Sequence, residues 1–370
     1  MKLFFLTISL LSNLFLLKAS YSQDEKHVNF KNRKEVTFYR HKKKKNSDLF
    51  QGNKEDKNYF EGWYFKMVSK DGNSILSVIP GISLSKNGDR QEAFIQIIDG
   101  KNATTAYYRY PIETFSFSKN RFAVQIENNF FCEDSICLNI ENNSSSVKGK
   151  VYMSNQVKLT KKKKEKTIGI MGWYRSVPFM ECYHGVVSLN HDLKGNIQKD
   201  QQHYNFDEGL GYIEKDWGKS MPSSWIWMQT NNFSNPNTSF MISVAEIPWL
   251  GSSFTGFLGF ILYDGIPIRF GTYTNAKLLI ENSDVNKLKI TIVNKKKTIV
   301  VETSRQSTGF LKAPVNGSMD RRIAEGIDAQ LTLKISDKDG NTLFNDSSEI
   351  TGLELVGNIE NLKKGLNKKK

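Results

Sequence analysis

From Tyr59 onward the chain is cut into short runs of β-branched and aromatic residues, separated by clusters of Gly, Asn, Asp and Lys. Runs of this kind, bounded by turn residues, specify strands and the tight turns between them. Residues 75–79, 93–98, 121–126 and 149–153 form one such series, and their alternation favours half-buried antiparallel strands. The tetrapeptides at 70–73, 85–88 and 98–101 combine Asp, Asn, Lys, Ser and Gly where hairpin turns are required. A second series covers residues 224–229, 240–244, 257–262, 287–293 and 329–335. No segment offers a long amphipathic helix, so nothing is available to cover exposed strand edges. Closure of each series on itself removes those edges. The expected fold class is therefore all-β, with two consecutive antiparallel β-barrels, one over 58–205 and one over 206–357.

The ends of the chain read differently. Residues 1–22 carry a charged start, an apolar run from Leu3 to Leu17 and small residues near Ala19, the pattern of a signal peptide. The run is shorter than the roughly 20 residues of a spanning helix. Entry into the secretory pathway follows from that reading. Residues 23–57 then form a basic segment without apolar periodicity, read as disordered or as the second stage of a plastid transit sequence. The final site is secreted or vacuolar on the first reading and plastid on the second. Residues 358–370 form a basic tail.

Charge narrows the partners. The formal net charge is +14, yet segments 23–57, 158–166 and 358–370 hold +5, +5 and +4, the whole of the excess. A nucleic-acid reader carries its charge on a structured face interleaved with base-reading or stacking side chains. Nucleic acid is thus not an expected partner, whereas a peripheral membrane or lipid-droplet surface remains open for the run at 158–166. Cys132 and Cys137 bracket a plausible turn, so a local disulfide and two free thiols are both open. Cys182 stands alone. His184, His191, His203 and Cys182 match no compact ligand motif, and no metal is expected. Neither a phosphate-binding glycine loop nor a Gly-x-Ser-x-Gly elbow occurs.

The densest unusual stretch runs from Tyr212 to Asn231 and concentrates Trp217, Trp225 and Trp227 with Glu214 and Asp216. Residues two apart on a strand share a face, so Glu214 pairs with Asp216 and Trp225 with Trp227. A carboxyl desolvated beside aromatic rings has its neutral form favoured and can serve as a proton donor. The segment Tyr59-Phe-Glu-Gly-Trp-Tyr-Phe-Lys repeats the theme with Glu61 and Trp63, and Pro178-Phe-Met-Glu-Cys-Tyr-His-Gly adds Glu181 and His184. Tryptophans that only fill a barrel core are the alternative.

These three segments, in this order, resemble the tocopherol cyclase family: its Tyr-Phe-Glu-Gly-Trp-Tyr start, its Met-Glu-Cys-Tyr-His-Gly middle, and its Glu-Lys-Asp/Asn-Trp-Gly…Pro…Trp-x-Trp-x-Gln block. The likeness extends from Asn58 to Gly357 and includes residues 313–319. It implies lipocalin-like barrels, distantly similar to carotenoid 1,2-hydratases, and cofactor-independent closure of a prenylated benzoquinol to a chromanol, a step of vitamin E biosynthesis. It further implies Asp216 as the acid, with Glu61 second. Plant members carry Asn at the position of Asp216, which opens the acid role to Glu61 or Glu214. Trp63, Tyr64, Trp217, Trp225 and Trp227 would line the pocket, and Glu181, His184 and Gln229 would orient the quinol hydroxyls. A non-catalytic lipocalin-like carrier of a lipid or isoprenoid would use the same aromatic pocket without a working acid.

Overall fold

The structure, a computed structural model, describes residues 30–32, 46–143, 145–159, 169–177, 180–249, 251–284, 287–305 and 309–367. Residues 1–22, read as a signal peptide, most of the basic segment 23–57 and most of the lysine run at 158–166 lie outside the described residues. The rest is all-β, as the strand and turn pattern requires, and is built from two antiparallel sheets.

In the first sheet the strand Leu210–Gly218 lies between Cys182–Lys199 and Tyr59–Val68. The path continues on one side through Ile75–Leu84 and Gln91–Asp99 to Thr104–Pro111, and on the other through Ser145–Val157 as far as Phe30–Asn32. In the second sheet Trp225–Thr230 lies between Ser239–Trp249 and Thr342–Val356, and Ser318–Asp337 follows the latter. Among the described residues each strand order is an open path rather than a ring. The passage between sheets falls between Gly218 and Trp225, later than the boundary expected at 205/206. The reason is that Ile213 and Trp217 complete the core of the first sheet.

Among the described residues three apolar clusters hold the fold: one inside each sheet and one between them. Tyr59–Val68 contributes to two of these. Trp63, Phe65 and Met67 enter the first-sheet core, while Tyr64 and Val68 join the cluster between the sheets. Strands at the joint are thus buried on both faces rather than on one. Polar side chains also bridge the joint. Lys66, fully buried, donates to the Ile350 carbonyl at 3.1 Å, and Asn231 donates to the Gly211 carbonyl at 2.9 Å. Burial pulls Lys66 down to about 7, although the charge of Glu325 opposes this.

Parts of the segment read as disordered or transit-like and of the basic tail are ordered among the described residues. Within 23–57, residues 46–52 form a strap across the first sheet, and Phe50 packs against Phe115 and Phe117 with ring centroids 5.1 and 4.5 Å apart. Within the 358–370 tail, Ile359–Asn367 is a helix whose Leu362 is buried in the second-sheet core. Of the two alternatives left open for Cys132 and Cys137, the structure has the thiols, with no disulfide between them. Their hairpin pairs Phe130 with Cys137 and Phe131 with Ile136, which leaves Cys132 further along the ladder. A disulfide needs its two Cβ atoms about 3.8 Å apart. The Cys132 thiol instead donates to Asp134 at 2.7 Å.

The strap closes over a fully buried ion pair. Lys215 Nζ lies 2.6 Å from Glu61 Oε1, and neither side chain is exposed. Lys215 also donates to the carbonyls of Ser47 (2.8 Å) and Leu49 (2.6 Å), and it sits 4.8 Å from the ring centroids of both Trp63 and Trp217. Glu61 accepts from the backbone amides of Gln51 and Gly52, each at 2.9 Å, and from the Tyr59 hydroxyl at 2.5 Å. Desolvating two charges is repaid only when their remaining hydrogen-bonding positions are filled, as they are here. Removing one partner strands the other charge. Lys215→Met or Glu61→Leu should therefore each destabilise the fold by about 3–5 kcal/mol, while the double variant recovers part of that loss, as thermal or urea unfolding would measure.

Candidate active site

A cavity of about 180 Å³ lies at the joint of the two sheets. Strand alternation decides what reaches it. Along Leu210–Gly218, Ile213 and Trp217 enter the first-sheet core and Lys215 is bound beneath the strap, so Glu214 and Asp216 project from the opposite face into the cavity. His184 comes from the neighbouring strand, where its register partner is Asp216. Trp225, Trp227 and Glu354 come from the second sheet, with Trp227 paired to Glu354.

His184 bridges two carboxyl groups. Its Nδ1 lies 2.8 Å from Asp216 Oδ1, and its Nε2 lies 3.5 Å from Glu214 Oε2. That same Glu214 oxygen accepts the Tyr212 hydroxyl at 2.7 Å and the Trp227 indole N–H at 3.1 Å. Burial raises Glu214 to about 7, against the charge of His184, which lowers it. For His184 burial works against the charged form, but Asp216 and then Glu214 outweigh it and raise the imidazole to about 9. At neutral pH the trio therefore holds an imidazolium facing Asp216 beside a Glu214 that carries its proton for much of the time.

A second acidic pair adjoins it. Glu354 accepts the Trp225 indole N–H, and burial raises it to about 8 despite that hydrogen bond. Glu325 is the register partner of Glu354 across the strand pair. It accepts the Tyr64 hydroxyl at 2.8 Å, and Tyr64 in turn accepts Ser77 Oγ–H at 2.9 Å. Burial, and then the charge of Glu354, drive Glu325 well above the usual carboxylate range. Like charges directly opposite on a ladder repel. Protonation relieves the repulsion.

The donor atoms of His184, Glu214 and Asp216 lie within 4.8 Å of one another, a spacing at which a cation can be held. His184 Nδ1 engages Asp216, and Tyr212 and Trp227 donate to Glu214, while His184 Nε2, 3.5 Å from Glu214, is buried without a hydrogen-bond partner of its own.

Of the residues singled out in the sequence, Tyr64, Glu181, His184, Glu214, Asp216, Trp225 and Trp227 line the cavity. Glu61, Trp63 and Trp217 do not: Glu61 and Trp63 share a strand face as expected, but that face, like the one bearing Trp217, is turned into the first-sheet core around Lys215. Gln229 is fully buried and accepts from Lys66 at 3.3 Å, away from the cavity lining. Glu354, Glu325 and Tyr212 went unnoticed in the sequence. The available signal was a glutamate between two uncharged neighbours, Leu353-Glu354-Leu355 and Ala324-Glu325-Gly326.

The family model described as "Tocopherol cyclase-like" matches residues 151–357. Two plant proteins match shorter stretches. "Tocopherol cyclase, chloroplastic" of Zea mays is 28 % identical over 82 residues, 22 % of this chain and 17 % of that protein. "Probable tocopherol cyclase, chloroplastic" of Oryza sativa subsp. japonica is 30 % identical over 74 residues, 20 % of this chain and 16 % of that protein. The matched stretches thus span about a sixth of the length of either relative. Among solved structures, CghA with Sch210972 has a TM-score of 0.46 at 8 % identity, covering 81 % of this chain and 89 % of that one. Kievitone hydratase from Nectria haematococca has a TM-score of 0.42 at 8 % identity, covering 80 % and 89 %. The family match takes in more than half of the 370 residues and contains His184, Glu214, Asp216, Trp225, Trp227, Glu325 and Glu354. On that match the chain belongs to the tocopherol cyclase-like family.

Proposed function

We propose that this protein closes a ring on a prenylated benzoquinol by acid catalysis, with Glu214 as proton donor and Asp216 as proton acceptor. The observation that carries the reading is the bridge His184 makes between those two carboxyl groups inside a cavity lined by Trp225 and Trp227.

Glu214 gives its proton to the trisubstituted double bond at the carbon nearer the ring, and the adjoining carbon becomes a tertiary cation. Tyr212 and Trp227 donate to the oxygen on which negative charge then develops, which favours departure of the proton. The faces of the two indoles stabilise the cation. The quinol oxygen attacks the cationic carbon, forming the new C–O bond, and its proton passes to Asp216. His184, as the imidazolium, then gives its Nε2 proton to Glu214, and the balance is restored through solvent: Asp216, whose side chain is 26 % exposed, releases the proton it took from the quinol, and His184 takes one up at Nε2. Because the nucleophile and the alkene belong to one molecule, much of the rate comes from holding them together in a dry site.

The relevant experiment is anaerobic incubation with a prenylated benzoquinol, followed by mass-resolved chromatography for the isomeric chromanol. Glu214→Gln should lower turnover on the order of 10²-fold or more while ligand binding persists. Asp216→Asn, which matches the plant pattern at that position, should have a smaller effect on turnover. Binding with no product from the unaltered protein would instead identify a carrier.

The pH dependence has a definite sign. The acid acts only when protonated, so it is present below its pKa and lost above it. With Glu214 near 7, turnover at saturating quinol should hold below about pH 7 and then fall tenfold per pH unit, as a rate profile between pH 5 and 9 would record.

A further inference from the structure

Beside the acid-bearing cavity lies a smaller one of about 60 Å³, and Met171, Met180, Ser243, Ala245, Ile247 and Leu258 line both. The two differ in chemistry. The larger holds His184, Glu214, Asp216 and Glu354, whereas no charged side chain among the described residues lines the smaller. Beyond the shared residues the side chamber is walled by Phe254, Phe257, Tyr174 and Tyr273.

Its far end is fixed. The Tyr273 hydroxyl donates to the Ile170 carbonyl at 2.5 Å, and the Tyr174 ring meets the Tyr273 ring edge-on at 6.2 Å. One wall is thinned by a glycine. A Cβ at Gly256 would stand 2.6 Å from Ile247 Cδ1 and 3.3 Å from Phe254 Cε2, both of them lining residues. A side chain there would occupy the chamber.

We propose that this side chamber is the subsite for the isoprenoid unit next to the reacting one, so that the substrate's tail is read here and its ring and first double bond at the acid cluster. The proposal rests on the cyclase reading for the identity of the ligand. An amphipathic molecule with a hydroxylated ring and an apolar chain matches the two compartments best with its ring at the acid cluster and its chain in the chamber. In the reverse orientation quinol hydroxyls would give up the carboxyl and imidazole groups for a chamber whose polar lining, among the described residues, is limited to the hydroxyls of Ser243, Thr272, Tyr174 and Tyr273, and hydrocarbon would cover buried carboxyl groups.

The test uses benzoquinones carrying one, two or four isoprenoid units as binding probes on the full chain, read by quenching of tryptophan fluorescence. The corresponding quinols serve for turnover. In the unaltered protein the two-unit probe should bind at least about tenfold more tightly than the one-unit probe, from the added apolar burial. Gly256→Leu should abolish most of that advantage and leave the one-unit probe within about threefold of its original Kd. Phe254→Ala, which enlarges the same chamber, should favour the four-unit probe over the two-unit probe, and it keeps the proposal testable should Gly256→Leu fail to fold.

Equal affinity of the one- and two-unit probes for the unaltered protein would overturn the subsite, as would equal weakening of both by Gly256→Leu. The two readings fail separately. Tail-dependent binding that responds to the variants, without chromanol from any quinol, retains the chamber and removes the cyclase. Chromanol formation that the variants alter equally for all tails does the reverse.

Discussion

The arrangement at the joint depends on one buried ion pair, Lys215 with Glu61. A wholly buried ammonium is tolerable only where its counter-ion and hydrogen-bond acceptors are fixed, and here the strap from Asn46 to Gly52 supplies two carbonyls to the lysine and two amides to the glutamate. With Lys215 held on the first-sheet side, period-two geometry leaves its neighbours Glu214 and Asp216 no alternative to the cavity side. A one-residue slip of this strand would drive two carboxyl groups into the first-sheet core and set Lys215 among the tryptophans of the second sheet. Register, strap and acid cluster are therefore one structural problem with one solution.

That coupling also explains the division of labour between the sheets. The first sheet, through Cys182–Lys199 and Leu210–Gly218, supplies His184, Glu214 and Asp216. The second supplies the indoles of Trp225 and Trp227 and the paired glutamates 325 and 354. Because these groups meet only when the sheets pack, their charges are desolvated by the packing itself, and the upward movement of Glu214, Glu325 and Glu354 is a consequence of that meeting. Buried carboxyl groups cost stability. Their concentration at one cavity is the expense of a site that keeps acids neutral near neutral pH.

Much of this was legible in the sequence, and the part that was not has a physical reason. The strand pattern led to the all-β class, and the i, i+2 rule correctly paired Glu214 with Asp216 and Trp225 with Trp227. The same rule grouped Glu61 with Trp63, but periodicity cannot say which face of a strand meets the cavity when both faces are buried. Glu61, Trp63 and Trp217 were placed at the site by the family resemblance, which leaves that ambiguity unresolved. Glu354 was hidden because it reaches the acid cluster through the pairing of Trp225–Thr230 with Thr342–Val356, a contact more than a hundred residues apart in sequence. The strap was read as disordered because its order comes from capping Glu61 and from Phe50 rather than from any repeat of its own.

The proposed proton cycle is most directly tested by running the reaction in deuterium oxide and locating the label in the product. If Glu214 protonates the alkene and His184 reloads it, the chromanol acquires one deuterium, at the methylene beside the carbon bonded to the ring oxygen, and Glu214→Gln suppresses its formation. A chromanol formed without that deuterium, or formed at an undiminished rate by Glu214→Gln, would contradict the assignment of Glu214 as the acid.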